Sequence, residues 1–223
     1  MQTNIMVELG TMSVVNSTFT KGSKNHISGI DSIVTLENVH MYNSTALQSG
    51  HGFTCSRCSQ VGVKDSTFEI LESTGGDGGA IMIYSLYNTT YQPVSYIMNN
   101  KFLGNKGKSG GAIILDRTHM IQVSQNLFED NEATNSDGGA VIYKCDPTKV
   151  NYECYVSLFD NEFTRNTAKR KGGALRYENA NFTDTEYIKA EKSTSGWGSW
   201  GWYSLRRRNL DERKLQGFFE RFS

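Results

Sequence analysis

Four cysteines, four histidines and a few aspartates beside glycines are the residues of this chain whose types and spacing could do chemistry. Cys55 and Cys58 form a C-x-x-C spacing, which suits zinc or redox chemistry, but a zinc site needs two further ligands nearby. Cys145 and Cys154 bound the segment CDPTKVNYEC, which reads as a loop with its ends tied. Both pairs read as disulfides or free thiols ahead of zinc, and local disulfides imply an oxidising compartment. The Cα atoms of Cys145 and Cys154 are expected about 4.4–6.8 Å apart. Cys55 is expected to point inward with Phe53, which would place it poorly for meeting Cys58. His26, His40 and His119 have no partner at metal-ligand spacing and default to the surface. Asp77 and Asp137 each precede a glycine pair, but Ser109 holds the corresponding place between them, so no tight carboxylate cluster for calcium forms. No metal and no cofactor is expected.

Elements able to position such residues must be short. The 223-residue chain holds 22 glycines, two prolines and many Ser, Thr and Asn residues, which suits strands broken by frequent turns. Its formal net charge is zero, and the body carries no basic patch of the size that nucleic acid requires. No run of about 18 apolar residues is present, so no helix here would cross a bilayer. The opening MQTNIMVELG lacks a basic region followed by an apolar core. The expectation is therefore that the protein is either intracellular or a piece of a longer chain.

The pattern that organises the chain is a repeat. Glycine pairs open four similar segments: GGAIMIY from Gly78 and Gly79, GGAIILD from Gly110 and Gly111, GGAVIYK from Gly138 and Gly139, and GGALRYE from Gly172 and Gly173. Between them recurs an N-x-F-like element ending at Phe19, Phe68, Phe102, Phe128 and Phe163, with Val39 of LENV at the same place in a sixth copy. Five residues upstream stand Val14, Val34, Val63, Ile97, Val123 and Leu158; seven upstream stand Met12, Ser32, Val61, Ser95, Ile121 and Val156. A separation of two between apolar columns is a strand period. The glycine segments supply a second strand, with Ile81, Ile113, Val141 and Leu175 in one column and Ile83, Leu115, Tyr143 and Tyr177 in another. Phe53 and Cys55 fall in the same columns, and SGID contributes Ile30.

The distances between Phe marks vary between 20 and 35 residues, as they do where loops vary and stacked strands do not. No helical period is found, and the shorter units cannot form a propeller blade. The expectation is an all-β fold, a right-handed single-stranded parallel β-helix of about six coils over residues 1–185. Such coils rise about 4.8 Å each. Paired glycines permit the bend and the close approach at one corner of every coil. Asn105, Asn131 and Asn166, three residues after consecutive Phe marks, are expected to stack as an amide ladder. The side chains between the inward columns, Met82, Ile114 and Ile142, should then form an exposed apolar stripe bounded by Thr54 and Arg176, of the kind that marks an interaction surface. A loop over 85–93 or 144–154 folding across them is the competing expectation.

The alternation of F-x-x-N, at Phe102–Asn105, Phe128–Asn131 and Phe163–Asn166, with G-G-A-[ILV] resembles the polymorphic outer membrane protein repeat. The resemblance covers residues 60–178 well and 12–59 loosely. It implies a pectin-lyase-type β-helix at a cell surface, in adhesion or an unassigned surface role, without catalysis. The secretion signal and C-terminal membrane barrel of the bacterial members have no counterpart here. One motif invites an enzyme reading: Gly50-His51-Gly52 resembles a tripeptide of polygalacturonases. Those enzymes add upstream aspartates as general acid and base, and a downstream Arg-x-Lys for the substrate carboxylate. Neither accompanies His51, which instead occupies the corner held by Gly79 and Gly111 in other coils.

After about Asn181 the pattern stops. Residues 192–223 hold three tryptophans, seven basic and three acidic side chains, with Leu215, Phe218, Phe219 and Phe222 at helical spacing. This 186–223 tail is expected to be poorly ordered, to cap the coil stack or to form a short amphipathic helix with weak membrane affinity. Sequons stand at Asn16, Asn43, Asn88 and Asn181. The sequence thus favours a non-catalytic extracellular or cell-surface scaffold or adhesion module, a fragment of a larger protein, with a protein or glycan partner. A polysaccharide-acting hydrolase or lyase of the same fold is the alternative.

Overall fold

Each pass of the chain is a set of short strands separated by single residues in the left-handed region. In one such coil the strands Ser95–Met98, Lys101–Leu103, Lys106–Gly107 and Ile113–Asp116 are divided by Asn99, Gly104 and Gly110 and followed by Arg117, at φ of 56°, 60°, 57° and 55°. One left-handed residue turns an extended chain sharply without a long loop, which is why Asn, Asp and Gly recur at these corners. The structure, a computed structural model, describes residues 5–86, 95–118, 120–145 and 155–178. It adds the backbone strands Asn181–Asp184, Lys189–Glu191, Thr194–Ser195 and Tyr203–Arg206.

The fold is all-β. Among the described residues there is no helix, every strand pair is parallel, and each strand pairs with its counterpart one coil away. The strands that follow the glycine corners form one eight-stranded sheet, from Ile5–Glu8 to Tyr203–Arg206. The remaining 16 strands form a second sheet, in which the long strand Ile33–Ala46 bends across two faces and pairs with both Gln60–Lys64 and Thr67–Ser73. The core lies between the sheets. Phe68, Phe102, Phe128 and Phe163 pair in register with ring centroids 5.0, 4.9 and 4.7 Å apart and nearly parallel planes. Beside them Val63, Ile97, Val123 and Leu158 form a second buried column.

The second coil departs from the expected register by two residues. Met41, not Val39, pairs with Phe19 and Phe68, and Leu36, not Val34, pairs with Val14 and Val63. The corner residue Asn38, at φ 51°, sets this register: it stands three before Met41, as Asp65 stands three before Phe68. Val34 then takes the place expected of Ser32. In the other sheet Ile27 and Gly29 pair with Phe53 and Cys55, so Ile30 lies beyond the inward columns. Phe19, in the first coil, is only half-buried, with its ring 5.7 Å from His26.

Parallel pairing also continues past residue 185. Ala190 pairs with Phe163, Thr194 with Thr167, and Tyr203 with Leu175, which brings the glycine-corner sheet to eight strands where about six coils were expected. The expected helix over 209–223 lies outside the described residues.

Candidate functional site

The glycine corner is where this chain places its one catalytic-looking motif. Gly50 takes φ 59°, as Gly78, Gly110, Gly138 and Gly172 do at 66°, 57°, 66° and 65°. His51 therefore stands at the position of the second glycine of the later pairs: its N–H donates to the Gly79 carbonyl at 3.2 Å, just as Gly79 donates to Gly111 at 3.0 Å. The His26 N–H donates to the His51 carbonyl at 3.0 Å, so two histidines open a column that glycines continue. In the glycine coils a Cβ has no room, since one on Gly79, Gly111 or Gly139 would overlap the carbonyl oxygen of the next coil. In the first coils the space is supplied by neighbours. Ser44 fills the place that Asn105 holds later, and its Oγ lies 3.0 Å from His26 Nε2.

The two imidazoles lie 5.2 Å apart, tilted by 58°. His51 is 0% exposed and neither ring nitrogen has a hydrogen-bond partner. Burial, then the neighbouring His26, pushes its pKa down to about 4; burial alone lowers that of His26. His51 is thus a neutral imidazole sealed inside the coil, with no carboxylate acting on it and no route for a solvent-borne substrate. His26 is also buried rather than at the surface, because it packs between Phe19 and His51. His40 is half-buried, 4.6 Å from the Tyr42 ring, with its Nε2 3.5 Å from Glu69 Oε2. His119 lies outside the described residues.

The aspartates before the glycine pairs serve the corner. The Asp77 N–H donates to Ser49 Oγ at 2.9 Å, and its carbonyl accepts from Gly50. Asp137 accepts the Lys171 N–H at 3.0 Å and stands 3.8 Å from both Arg170 Nε and the buried Arg176 Nε. Among the described residues no three His, Cys, Asp or Glu side chains converge as a metal site.

The repeated asparagines are consumed by coil-to-coil bonding. Asn105 Nδ2 donates to Phe68 O at 2.9 Å and to Asn131 Oδ1 at 3.0 Å; Asn131 Nδ2 donates to Phe102 O and Asn166 Oδ1, both at 2.9 Å. The backbone N–H groups of Leu71, Asn105 and Asn131 donate to the amide oxygen one coil on. A second ladder, not anticipated as such, runs through Ser66, Asn100, Asn126 and Asn161. Its signal was the Asn two residues before Phe102, Phe128 and Phe163, which bonds back to the preceding coil in the same way; Ser66 holds that place before Phe68. Val39 belongs to this column, where its N–H donates to Ser66 Oγ.

Cys55 and Cys58 are both buried and joined in a disulfide, with Cα atoms 5.9 Å apart. The expectation that an inward Cys55 could not meet Cys58 fails because Cys58 also turns inward, toward Ser32 Oγ at 3.7 Å. Gly29 makes the room, since a Cβ there would lie 3.1 Å from Cys55 Sγ and 2.9 Å from Ser32 Oγ. Cys145 is buried and disulfide-bonded, and Cys154 lies outside the described residues.

The expected exposed stripe is not exposed. Ile114 and Ile142 are each 1% exposed and Met82 is half-buried. The physical reason on the corner side is again glycine: Ile114 Cγ1 lies 2.9 and 3.3 Å from where a Cβ of Gly110 and of Gly78 would stand, so the outward side chain leans into the space these glycines leave. The loop segments 87–94 and 146–154, the competing cover, lie outside the described residues. The stripe is withdrawn as an interaction surface.

Comparison of the chain with known proteins finds no matching family model, no matching curated protein and no matching solved structure.

Proposed function

We propose that this chain is a non-catalytic repeat module, a right-handed parallel β-helix of the pectin-lyase type that acts as a scaffold or adhesion unit of a cell-surface or extracellular protein. The observation that carries the reading is the destination of the motif side chains. The asparagines, glycines and phenylalanines that recur are engaged in holding coil to coil, and His51, the residue with catalytic appearance, is sealed without a carboxylate. An acid–base pair working across a glycosidic bond needs two carboxyl groups flanking the scissile bond at a surface reached by substrate. The resemblance to polymorphic outer membrane protein repeats supports a surface location. So do the buried Cys55–Cys58 bridge, a feature of oxidising compartments, and the exposed corner positions of the sequon residues Asn16 and Asn43. The partner is a protein or a glycan.

The test is a paired assay on the folded protein. Incubation with polygalacturonate and neutral polysaccharides should release neither reducing nor unsaturated ends, while binding to whole cells or to an immobilised glycan panel is retained. Release of sugar ends that disappears on heat denaturation would overturn the reading.

A further inference from the structure

We propose that Asn43 carries an N-linked oligosaccharide whose first sugar lies against Ile70; the proposal rests on the cell-surface reading above, since the transfer takes place on exported chains. Asn43-Ser44-Thr45 is a sequon, and in N-glycosylation the sugar is borne by the side-chain nitrogen Nδ2. The transfer joins Nδ2 to the anomeric carbon of an N-acetylglucosamine. It breaks the bond from that carbon to the diphosphate of a lipid-linked oligosaccharide, and the lipid diphosphate leaves with the amide proton. A folded protein accepts the product only where that nitrogen is exposed and holds no bond that a sugar would break.

Asn43 meets that condition where most other asparagines fail it. The six ladder asparagines are buried, and each donates through Nδ2 to a carbonyl of the preceding coil. Asn25, Asn38 and Asn99 lie nearer the surface but also commit Nδ2, to Ser49 O, Asn16 Oδ1 and Asp65 Oδ1. None of these nine is followed two residues on by Ser or Thr. Among the described residues beyond the first coil, Asn43 and Asn135 are the exposed asparagines whose Nδ2 makes no hydrogen bond. Asn135 has Asp137 two places on and is no sequon, whereas Asn43 has Thr45, itself exposed. Asn88 and the side chain of Asn181, the other sequon residues past the first coil, lie outside the described residues.

Asn43 has a coil on either side: Tyr42 pairs with Thr20 before it and with Glu69 after it. It holds φ 51° at an outward corner, while its neighbour Ser44 is buried with Oγ 3.0 Å from His26 Nε2. Ile70 stands at the same corner one coil on, between Glu69 and Leu71, which pair with Tyr42 and Ser44. Ile70 is 55% exposed and is also held at φ 51°. The left-handed region strains a β-branched residue, and Asn or Gly would sit there at less cost. An exposed apolar side chain kept in a strained conformation points to a contact outside the coil. Adjacent coils lie about 4.8 Å apart, so a sugar on Asn43 reaches Ile70 and can lay its ring C–H groups on that side chain while its hydroxyls stay in water. Gly104, next along the corner, has no side chain to crowd the sugar.

The experiment takes the protein from its own cells and makes two measurements. Labelling of intact cells with a membrane-impermeant amine reagent, together with recovery from the medium, reads export. Mass spectrometry of peptides treated with peptide:N-glycosidase, which converts a glycosylated asparagine to aspartate, reads the sugar. Asn43 should be recovered as aspartate, and Asn38 and Asn135 as asparagine. An exported chain with Asn43 unmodified overturns the proposal and leaves the surface reading standing. A modified chain kept inside the cell upholds the proposal and overturns the surface location, and a chain neither exported nor modified overturns both. Contact with Ile70 is read by thermal melts of protein made in the same cells. Thr45→Ala removes the sequon and keeps Asn43. It should lower the melting temperature by about 2 °C more in the parent than in Ile70→Asn, so that any effect of the Thr45 side chain itself cancels. Equal shifts in the two backgrounds would overturn the placement of the sugar against Ile70.

Discussion

The His51 imidazole lies 5.2 Å from that of His26, and both are enclosed by the first coils. Protons must therefore be taken up by the unfolded chain in preference to the folded one. The His51 pKa stands at about 4 when folded, against 6.5 in an open chain, through burial first and His26 second. Between those values the unfolded state binds more protons, so stability falls as pH drops from about 6.5 to about 4, and His51 causes no further loss below. The loss is of order 2–3 kcal/mol from His51, with His26 adding in the same direction. Urea unfolding midpoints from pH 7.5 to 4 should follow that slope. In His51→Phe, which keeps a ring of similar bulk without nitrogens, the slope should shrink to the part owed to His26. An equal slope in that variant would show that other groups govern acid sensitivity.

Asn131 is the middle rung of a ladder and has the most to lose. Asn131→Ala leaves the Asn105 N–H without its acceptor and removes the amide bond to the Phe102 carbonyl, both inside the coil stack. Unmade buried hydrogen bonds cost about 1–3 kcal/mol each, so about 3 kcal/mol in total is expected. Asn131→Asp should be no better, since it keeps the acceptor but loses the donor and buries a charge. Denaturant titration of both variants reads this directly, and a change below about 0.5 kcal/mol in Asn131→Ala would remove the ladder as a source of stability.

The column Met82, Ile114, Ile142 offers a contrast within one sheet face. Ile114→Lys places an ammonium at a site 1% exposed and should cost about 3–5 kcal/mol. Met82→Lys, at a half-buried site, should cost less than about 1 kcal/mol. Thermal melts of the two proteins should differ widely. Equal tolerance would mean that Ile114 can reach solvent.

In the phenylalanine column, Phe128 is held between Phe102 and Phe163 at 4.9 and 4.7 Å. Phe128→Ala should cost about 3–5 kcal/mol, the cost of losing a buried aromatic together with the cavity left behind. A near-neutral result by denaturant unfolding would contradict the stacking.

The parts of the fold legible in the sequence were those in which one residue type recurs at one place. Phe68, Phe102, Phe128 and Phe163 announce a column because each sits in the same short motif. Val39 was misplaced because V-x-M offers two apolar residues separated by two. A slip of two keeps every side chain on its face, so alternation cannot detect it. The left-handed corner at Asn38 decides it, and no hydrophobic pattern reports that. Alternation likewise gives the direction of Ile114 but not whether anything lies over it. Beyond residue 185 the repeat was hidden because Ala190 stands where the motif has Phe. At the histidine corner the missing aspartates and Arg-x-Lys already spoke against the polygalacturonase-like tripeptide, but that its imidazole and that of His26 are both buried was not legible in the sequence.

The glycines separate into two kinds that sequence alone does not distinguish. A Cβ on Gly111 would stand 2.5 Å from the Glu132 nitrogen and overlap the Gly139 carbonyl, and neither is the end of a flexible side chain. Gly104 is left-handed at φ 60°, but a Cβ there would meet only Ile70 Cγ1, at 3.8 Å. Lys21, Asn43, Ile70, Asp130 and Arg165 hold the equivalent corner in other coils at φ of 51–56°. Gly111→Ala should therefore cost at least about 3 kcal/mol, since backbone must shift in two coils. Gly104→Asn should be within about 0.5 kcal/mol of the parent, because Asn adopts the left-handed region readily and the glycine no longer adds entropy to the unfolded chain. Urea unfolding of the pair checks both numbers. If Gly111→Ala proves as mild as Gly104→Asn, the coils are not packed closely at the glycine corner, and close approach of neighbouring coils does not explain the repeated glycine pair.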